Sequence, residues 1–263
     1  MSAIGVFDSG VGGLTVAAAL ERRLPAESIL YLGDTARLPY GTKSAATVSR
    51  YTRRNVSFLL ERGVKAVVVA CNTASALALP YLHPDEWGVP VCGVIEPGAE
   101  QAARASRGRV GVIATESTVH SGAYAEAIHR HGAGLEVRSV ACPLFVSLVE
   151  EGWQDDPITA EVARRYLAPL REEGVDTLVL GCTHYPLLRP LLQETMGPGV
   201  ALIDSAEAVA AEVAAVLGGL GLLAAERREE SHFCFTDDNV RFQRLARAIL
   251  GREDLSLELV DVS

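Results

Sequence analysis

The 263-residue sequence is short of positive charge and contains no long apolar run. Its 24 Lys and Arg residues are outnumbered by 33 Asp and Glu residues, which gives a net charge of −9 at pH 7. This balance argues against a general surface for nucleic acid, because such surfaces carry an excess of positive charge. The longest uncharged apolar run, residues 213–225, is interrupted by glycines and is too short to span a bilayer. We therefore expect neither a nucleic-acid partner nor a membrane span.

Cysteine and proline are also scarce, with 5 and 12 residues respectively. The cysteines are odd in number and widely spaced, and the first residues show neither the basic region nor the apolar stretch of an export signal. We expect a cytoplasmic protein with reduced thiols and no disulfide framework. The hydrophobic fraction of 49% indicates a globular protein and excludes a disordered or collagen-like chain.

Short β-branched segments alternate with longer segments of helical periodicity along the chain. This alternation predicts an α/β fold with parallel sheets covered by helices on both faces. One crossover helix is predicted over residues 42–62, with Asn55 on its buried stripe. Thr42 or Ser44 is its candidate N-cap, and Gly63 ends it. The predicted strands are residues 4–7, 29–32, 66–70, 91–94, 110–114, 136–140, 177–180, 201–203 and 232–235.

An internal repeat divides the sequence into two related halves. Residues 63–71 and 174–182 are identical at four of nine positions, and both segments end in cysteine. Residues 4–7 are likewise similar to residues 110–113, at a similar offset. The repeat predicts two pseudosymmetric α/β domains that bring the two cysteines face to face. Turn residues mark the boundaries between the domains, and the last segment is expected to return to the first half. We therefore predict one domain of residues 1–97 together with 206–263, and a second of residues 98–205.

Reactive side chains directly follow the predicted strands, where ligands bind in open parallel sheets. Cys71 and Cys182 end the two repeated strands, and each precedes residues that can open a helix, whose N-terminus lowers the pKa of a thiol. The alternative is that each is a small buried residue at the end of a core strand. Their matching places in the repeat favour chemistry. Cys92, Cys142 and Cys234 lack this context and are predicted to be core residues.

Four polar side chains are candidate helpers of these cysteines. His184 lies two residues after Cys182, close enough to pair with a thiolate or to donate to a substrate carboxylate. Asp8 is either a similar helper or a cap of a helix or turn. Glu150 is either a helper or a solvated helix residue. Asp34 is equally interpretable as a functional acid and as a turn former.

A glycine-rich loop follows the first predicted strand. Residues 10–15 read G-V-G-G-L-T, which approaches a dinucleotide-binding fingerprint with Asp34 one strand later, although Thr15 replaces the third small residue. Alternatively, the glycine N–H groups hold a substrate carboxylate at the start of a helix. No metal site is predicted, because Cys182 and His184 have no further ligand at structural zinc spacing.

Six segments of the sequence resemble those of the glutamate racemase family. The most distinctive are A-C-N-T-A-S at residues 70–75 and G-C-T-H-Y-P-L-L at residues 181–188. The resemblance extends from about residue 4 to residue 250. Ser147 is a departure, because the family usually has proline at this position. The remaining segments are residues 7–15, 33–41, 93–98 and 235–242.

The resemblance implies a homodimeric racemase, free of cofactor and metal, that interconverts L- and D-glutamate and supplies D-glutamate for peptidoglycan synthesis. Its active site would lie in the cleft between the two domains, with Cys71 and Cys182 on opposite faces of the substrate Cα. Asp8 would assist Cys71, while His184 and Glu150 would assist Cys182. The substrate contacts that the resemblance implies are Asp8, Ser9, Asp34, Pro39, Tyr40, Gly41, Asn72, Thr73, Thr118, Thr183 and His184.

Three other functions stay open from the residues alone. The first is a related racemase or decarboxylase that acts on another carboxylic acid such as aspartate, because thiol chemistry does not identify the acid. The second is a nucleotide-dependent oxidoreductase that uses the glycine-rich loop. The third is a non-catalytic protein that closes on a dicarboxylic amino acid.

Overall fold

Two parallel β-sheets, of six and four strands, organise the chain in a computed structural model. The structure describes residues 3–82, 84–227, 229–237 and 239–262, so Asp238 of the last family-like segment lies outside the described residues. The strands are β1 (Ile4–Asp8), β2 (Ile29–Gly33), β3 (Ala66–Val69), β4 (Val91–Gly93), β5 (Arg109–Ala114), β6 (Glu136–Ala141), β7 (Thr177–Gly181), β8 (Ala201–Asp204), β9 (His232–Phe235) and β10 (Leu257–Leu259).

Helices connect the strands and cover the sheets, as parallel pairing requires. In the described part of the chain, no helix is both long and apolar enough to cross a membrane. The α-helices are α1 (Leu14–Arg23), α2 (Ala45–Glu61), α3 (Asn72–Leu77), α4 (Ile95–Ala105), α5 (Glu116–His120), α6 (Ala123–His131), α7 (Leu144–Glu151), α8 (Pro157–Glu172), α9 (Arg189–Met196), α10 (Ser205–Gly219) and α11 (Val240–Leu250).

The two sheets share one strand order. The larger sheet runs β10-β9-β2-β1-β3-β4 and the smaller runs β6-β5-β7-β8, so β2-β1-β3-β4 corresponds to β6-β5-β7-β8. All pairings are parallel. The repeated strands β3 and β7 take equivalent places, as the internal repeat predicts. The last segment returns to the first half of the chain and adds β9 and β10 to its sheet, while the exact domain boundaries stay a prediction.

All nine predicted strands are present within one residue of their expected bounds. Their central members are buried on both faces, which explains why the sequence reads as continuous apolar runs. Strand β10 was not predicted, because it is an edge strand of three residues that is largely exposed.

Helix α2 begins three residues later than the sequence predicts. Ser44 is the N-cap, and its side chain accepts a hydrogen bond from the backbone N–H of Thr47. Gly63 follows the helix with φ of +74°, a conformation that favours glycine. Asn55 is buried on the face that packs against the larger sheet, as expected from the stripe.

Candidate active site

A cavity of about 30 Å³ lies at the carboxyl ends of strands from both sheets. It is lined by Ser9, Gly10, Leu38, Pro39, Tyr40, Gly41, Cys71, Asn72, Thr73, Thr115, Val146, Glu150, Cys182, Thr183 and His184. This volume holds roughly one or two water molecules, so the cleft is closed. Among the predicted site residues, Asp8, Asp34 and Thr118 lie behind the lining rather than in it.

Cys71 directly follows β3 and caps the short helix α3. Its Sγ accepts a hydrogen bond from the backbone N–H of Ala74 at 3.4 Å and donates to Ser9 Oγ at 3.3 Å. Burial, with the nearby charge of Asp8, raises the pKa of this thiol to about 12 and outweighs both hydrogen bonds. The expectation that the helix N-terminus lowers the pKa is therefore wrong for Cys71.

Cys182 directly follows β7 and forms a chain of contacts with two ionisable side chains. Its Sγ lies 3.9 Å from His184 Nδ1, and His184 Nε2 lies 3.2 Å from Glu150 Oε1. Burial lowers the pKa of His184, but the contacts with Cys182 and Glu150 prevail and raise it. Only 12% of the Glu150 side chain is exposed, so its interpretation as a solvated helix residue is wrong.

Asp8, at the end of β1, is fully buried behind the cavity. Its Oδ2 accepts hydrogen bonds from the N–H groups of Gly10 and Gly13, both at 3.0 Å, and its Oδ1 accepts from Thr183 Oγ1 at 3.4 Å. The prediction that these glycine N–H groups are free to hold a substrate carboxylate is wrong for Gly10 and Gly13. The Asp8 carboxylate takes the place where a dinucleotide pyrophosphate would bind, which argues against the oxidoreductase hypothesis.

The glycines of this loop allow close contact between the two halves of the fold. A Cβ atom on Gly12 would lie 2.5 Å from Thr183 Oγ1 and 2.7 Å from His184 Nδ1. A Cβ atom on Gly13 would lie 2.3 Å from Asp8 Cβ. Both positions therefore need glycine for space, since neither has positive φ.

Polar side chains at the start of α3 complete one wall of the cavity. Asn72 Oδ1 accepts a hydrogen bond from Tyr124 OH at 2.6 Å, while its buried Nδ2 has no partner among the described residues. Thr73 Oγ1 lies 3.0 Å from Thr115 Oγ1 and 3.1 Å from Thr118 Oγ1. Leaving a buried amide N–H group without an acceptor is unfavourable, and a carboxylate is a natural acceptor for it.

Tyr40 lines the cavity with its hydroxyl turned away toward Asp34. The hydroxyl donates to Asp34 Oδ2, and burial together with the Asp34 carboxylate raises the pKa of Tyr40. Asp34 also accepts from Arg37 Nε at 2.8 Å and from Thr236 Oγ1 at 3.1 Å. Of the side chains that bond to Asp34 within the described ranges, Tyr40 is the one that lines the cavity, so Asp34 contacts the cavity through Tyr40.

Three lining residues, Leu38, Thr115 and Val146, were not predicted from the sequence. The internal repeat could have identified Thr115. Thr115 lies 106 positions after the predicted site residue Ser9, which is the offset between residues 4–7 and 110–113. Leu38 and Val146 carry no such signal, since apolar residues outside the strands read as ordinary packing. Cys92, Cys142 and Cys234 are buried in the hydrophobic core, as predicted.

Known proteins match the chain over nearly its whole length. The family model for Asp/Glu/hydantoin racemases matches residues 4–213. A glutamate racemase from Geobacter metallireducens is 54% identical over 251 residues, which cover 95% of this chain and 93% of that protein.

Solved structures give the same match in three dimensions. A glutamate racemase isoform from Bacillus anthracis superimposes with a TM-score of 0.94 at 42% identity, covering 99% of this chain and 97% of the other. A glutamate racemase from Francisella tularensis, solved in complex with D-glutamate, gives a TM-score of 0.93 at 38% identity, covering 100% of this chain and 98% of the other.

Proposed function

Because the chain belongs to the Asp/Glu/hydantoin racemase family and, within it, to the glutamate racemases, we propose that it interconverts L- and D-glutamate by proton transfer between Cys71 and Cys182. The observation that carries this proposal is that both cysteines, at the ends of the repeated strands, line one closed cavity. The solved relative that holds D-glutamate supports glutamate as the substrate.

In the proposed reaction, one thiolate removes the Cα proton and the opposite thiol delivers a proton to the other face of the planar carbanion. The first cysteine ends as a thiol and the second as a thiolate, so the reverse reaction exchanges their roles. Two groups are needed because one side chain cannot reach both faces of a fixed planar carbon. The reaction needs no cofactor and no metal, since the two thiols supply both proton transfers.

Neighbouring residues prepare the two cysteines differently. The raised pKa of His184 favours the imidazolium, which stabilises a thiolate at Cys182, and Glu150 stabilises that imidazolium in turn. At Cys71, burial and the Asp8 charge favour the neutral thiol. The surroundings of the two cysteines are therefore asymmetric, with an ionisable imidazole beside Cys182 and a hydroxyl and a backbone N–H group beside Cys71.

Neutral donors around the cavity would hold the substrate carboxylates. Asn72 Nδ2 is buried and has no hydrogen-bond partner in the described part of the chain, and the hydroxyls of Ser9, Thr73 and Thr183 line the same space. Residues 40–42 form a short 3₁₀ helix whose first N–H groups have no intrahelical acceptor. Such donors offset the charge of a bound carboxylate in the ground state and in the transition state.

The wider role that we propose rests on the similarity to glutamate racemases. We propose that the chain works in the cytoplasm as a homodimer and supplies D-glutamate for peptidoglycan synthesis. Analytical ultracentrifugation tests the proposed homodimer, and a species with the mass of a single chain would contradict it.

The decisive experiment follows L-glutamate in D₂O with purified protein that is free of metal and cofactor. Proton NMR reports exchange at Cα, and circular dichroism reports loss of optical activity. Deuterium at Cα together with racemisation is the expected result. Binding of glutamate without exchange would favour the non-catalytic alternative, while exchange with aspartate but not glutamate would reassign the substrate.

A further inference from the structure

Asn55 is a fully buried amide on α2 that does not line the cavity. It shares the buried face of the helix with Val48, Val56 and Leu59. Burying an amide among apolar side chains is unfavourable unless its polar atoms find partners. Hydrophobic packing alone therefore does not explain asparagine at this position.

The partners of Asn55 all come from the segment between β2 and α2. Its Nδ2 donates to Asp34 Oδ2 at 3.2 Å and lies 3.0 Å from the Tyr40 hydroxyl, to which it also donates. Its Oδ1 accepts a hydrogen bond from Arg37 Nη2 at 3.3 Å. One amide thus joins an acid, a phenol and a guanidinium that lie within seven residues of each other in the sequence.

This network ends at the wall of the cavity. Tyr40 begins the 3₁₀ helix of residues 40–42, and both Tyr40 and Gly41 line the cavity. The Gly41 carbonyl accepts a hydrogen bond from Ser117 Oγ at 2.7 Å, across the cleft. A Cβ atom on Gly41 would lie 2.7 Å from Thr115 Cβ. A shift of the Tyr40 hydroxyl would therefore move a segment that closes tightly on the other half of the fold.

We propose that Asn55 is a positioning residue that holds Tyr40, through Asp34 and the phenol, where residues 40–42 bind the substrate. The inference rests on the proposed glutamate racemase activity. Asn55 fixes the donors that hold the substrate in both the ground state and the transition state. Its loss therefore weakens binding more than it slows proton transfer.

The test is Asn55→Leu, which keeps the approximate volume and removes both hydrogen-bonding functions. We expect KM for both enantiomers to rise about tenfold, the effect of one or two buried hydrogen bonds, while kcat changes less than about threefold. Circular dichroism at several substrate concentrations gives both constants.

Thr52→Val is the matched control. Thr52 is fully buried one turn earlier on the same helix, and its Oγ1 has no hydrogen-bond partner among the described residues. Removing this hydroxyl alters the polarity of the α2 core without touching the network, so KM should stay at its wild-type value. Equal increases of KM in Asn55→Leu and Thr52→Val would overturn the proposal.

A double-mutant cycle with Tyr40→Phe tests the route of the effect. If Asn55 acts through the phenol, Asn55→Leu adds little to KM once Tyr40→Phe is present. Fully additive effects of the two substitutions would overturn the proposal. Should Asn55→Leu fail to fold, Asn55→Ser, which is too short to reach both acceptors, takes its place in the cycle.

Calorimetry with D-glutamate separates this inference from the proposed activity. A wild-type chain that binds D-glutamate but does not racemise it would refute the activity. The same dissociation constants would still test Asn55, because Asn55→Leu is then expected to weaken binding about tenfold relative to Thr52→Val. Equal dissociation constants for the two variants would refute the role of Asn55 alone.

Discussion

Cys71 and Cys182 occupy equivalent places but have chemically different neighbours. The Sγ atom of Cys71 contacts a hydroxyl and a backbone N–H group, whereas Cys182 faces His184, which Glu150 contacts in turn. A neutral pair of contacts suits a proton donor, and an ionisable pair suits a thiolate. The pseudosymmetric fold thus provides two related positions and gives each its own electrostatic surroundings.

Replacing either cysteine should stop the complete reaction. We expect Cys71→Ala and Cys182→Ala each to lower kcat for both enantiomers by at least about 100-fold, because every cycle uses one acid and one base. Cys92→Ala and Cys234→Ala are controls from the hydrophobic core and should retain activity. Polarimetry from both enantiomers provides the measurement, and near-normal turnover in either active-site variant would refute the two-thiol mechanism.

The sequence predicted which side chains form the site, but it did not predict several of the contacts that these side chains make. The repeat identified both cysteines, and the resemblance added Asn72 and Thr73. The raised pKa of Cys71 was missed because burial in the closed cleft outweighs the short helix α3. The occupied N–H groups of Gly10 and Gly13 depend on the side-chain rotamer of Asp8, which spacing does not reveal.

At the scale of elements, the loop between β1 and α1 packs closely against the residues around His184. Gly12→Ala should lower kcat about tenfold or more, because the added Cβ would press on His184 Nδ1 and displace the ring from Cys182. Gly10→Ala is the matched substitution, since its Cβ would meet only Leu38 Cδ2 at an ordinary 3.7 Å. Comparable losses in the two variants would show that the loop tolerates no Cβ anywhere.

Helix α5 packs against the 3₁₀ helix of residues 40–42, and one of its hydroxyls donates a hydrogen bond to it. Ser117 Oγ donates to the Gly41 carbonyl at 2.7 Å, so Ser117→Ala should loosen the closed cleft and raise KM about two- to tenfold. Ser121→Ala, one turn later at the end of α5, is the control, because that hydroxyl donates locally to the Thr118 carbonyl. Steady-state kinetics of both variants decide the matter, and an unchanged KM in Ser117→Ala would refute the role of this contact.

The elements themselves were largely predictable. Nine strands were found because parallel strands buried on both faces give continuous β-branched runs that end at turn residues. The three residues of β10 were missed because an exposed edge strand lacks such a run. The start of α2 was uncertain because Thr42 and Ser44 are both good N-cap residues, and residues 40–42 instead form a 3₁₀ helix.

At the scale of the whole molecule, the buried thiols make the free energy of unfolding depend on pH in the alkaline range. Burial raises the pKa values of Cys71, Cys92 and Cys234 from 9.0 to about 12. Between these values the unfolded chain releases protons that the folded chain retains, so the free energy of unfolding falls as pH rises. Below pH 9 both states keep the protons, and these thiols contribute no pH dependence.

Urea denaturation of the wild-type chain and of Cys92→Ala at pH 8, 9 and 10 measures this effect, because the raised pKa of His184 lowers the free energy of unfolding over the same range in both chains. We expect the free energy of unfolding to fall above pH 9, by at most about 1.4 kcal/mol per pH unit for each thiol. Cys92→Ala removes one of these groups and should make the decrease shallower, whatever it costs in stability at pH 8. A free energy that stays constant from pH 8 to pH 10 would contradict the prediction.

The closed cavity has a further consequence for the proposed cycle. Each turnover leaves the extra proton on the opposite thiol, so the free protein exists in two forms, each ready for only one enantiomer. About 30 Å³ does not hold a glutamate molecule between the two thiols, so the cleft must open for each substrate to enter and each product to leave, and the open cleft lets solvent exchange the two forms. In the proposed cycle, a molecule that has just released one enantiomer is therefore ready to accept that same enantiomer until solvent moves the proton back.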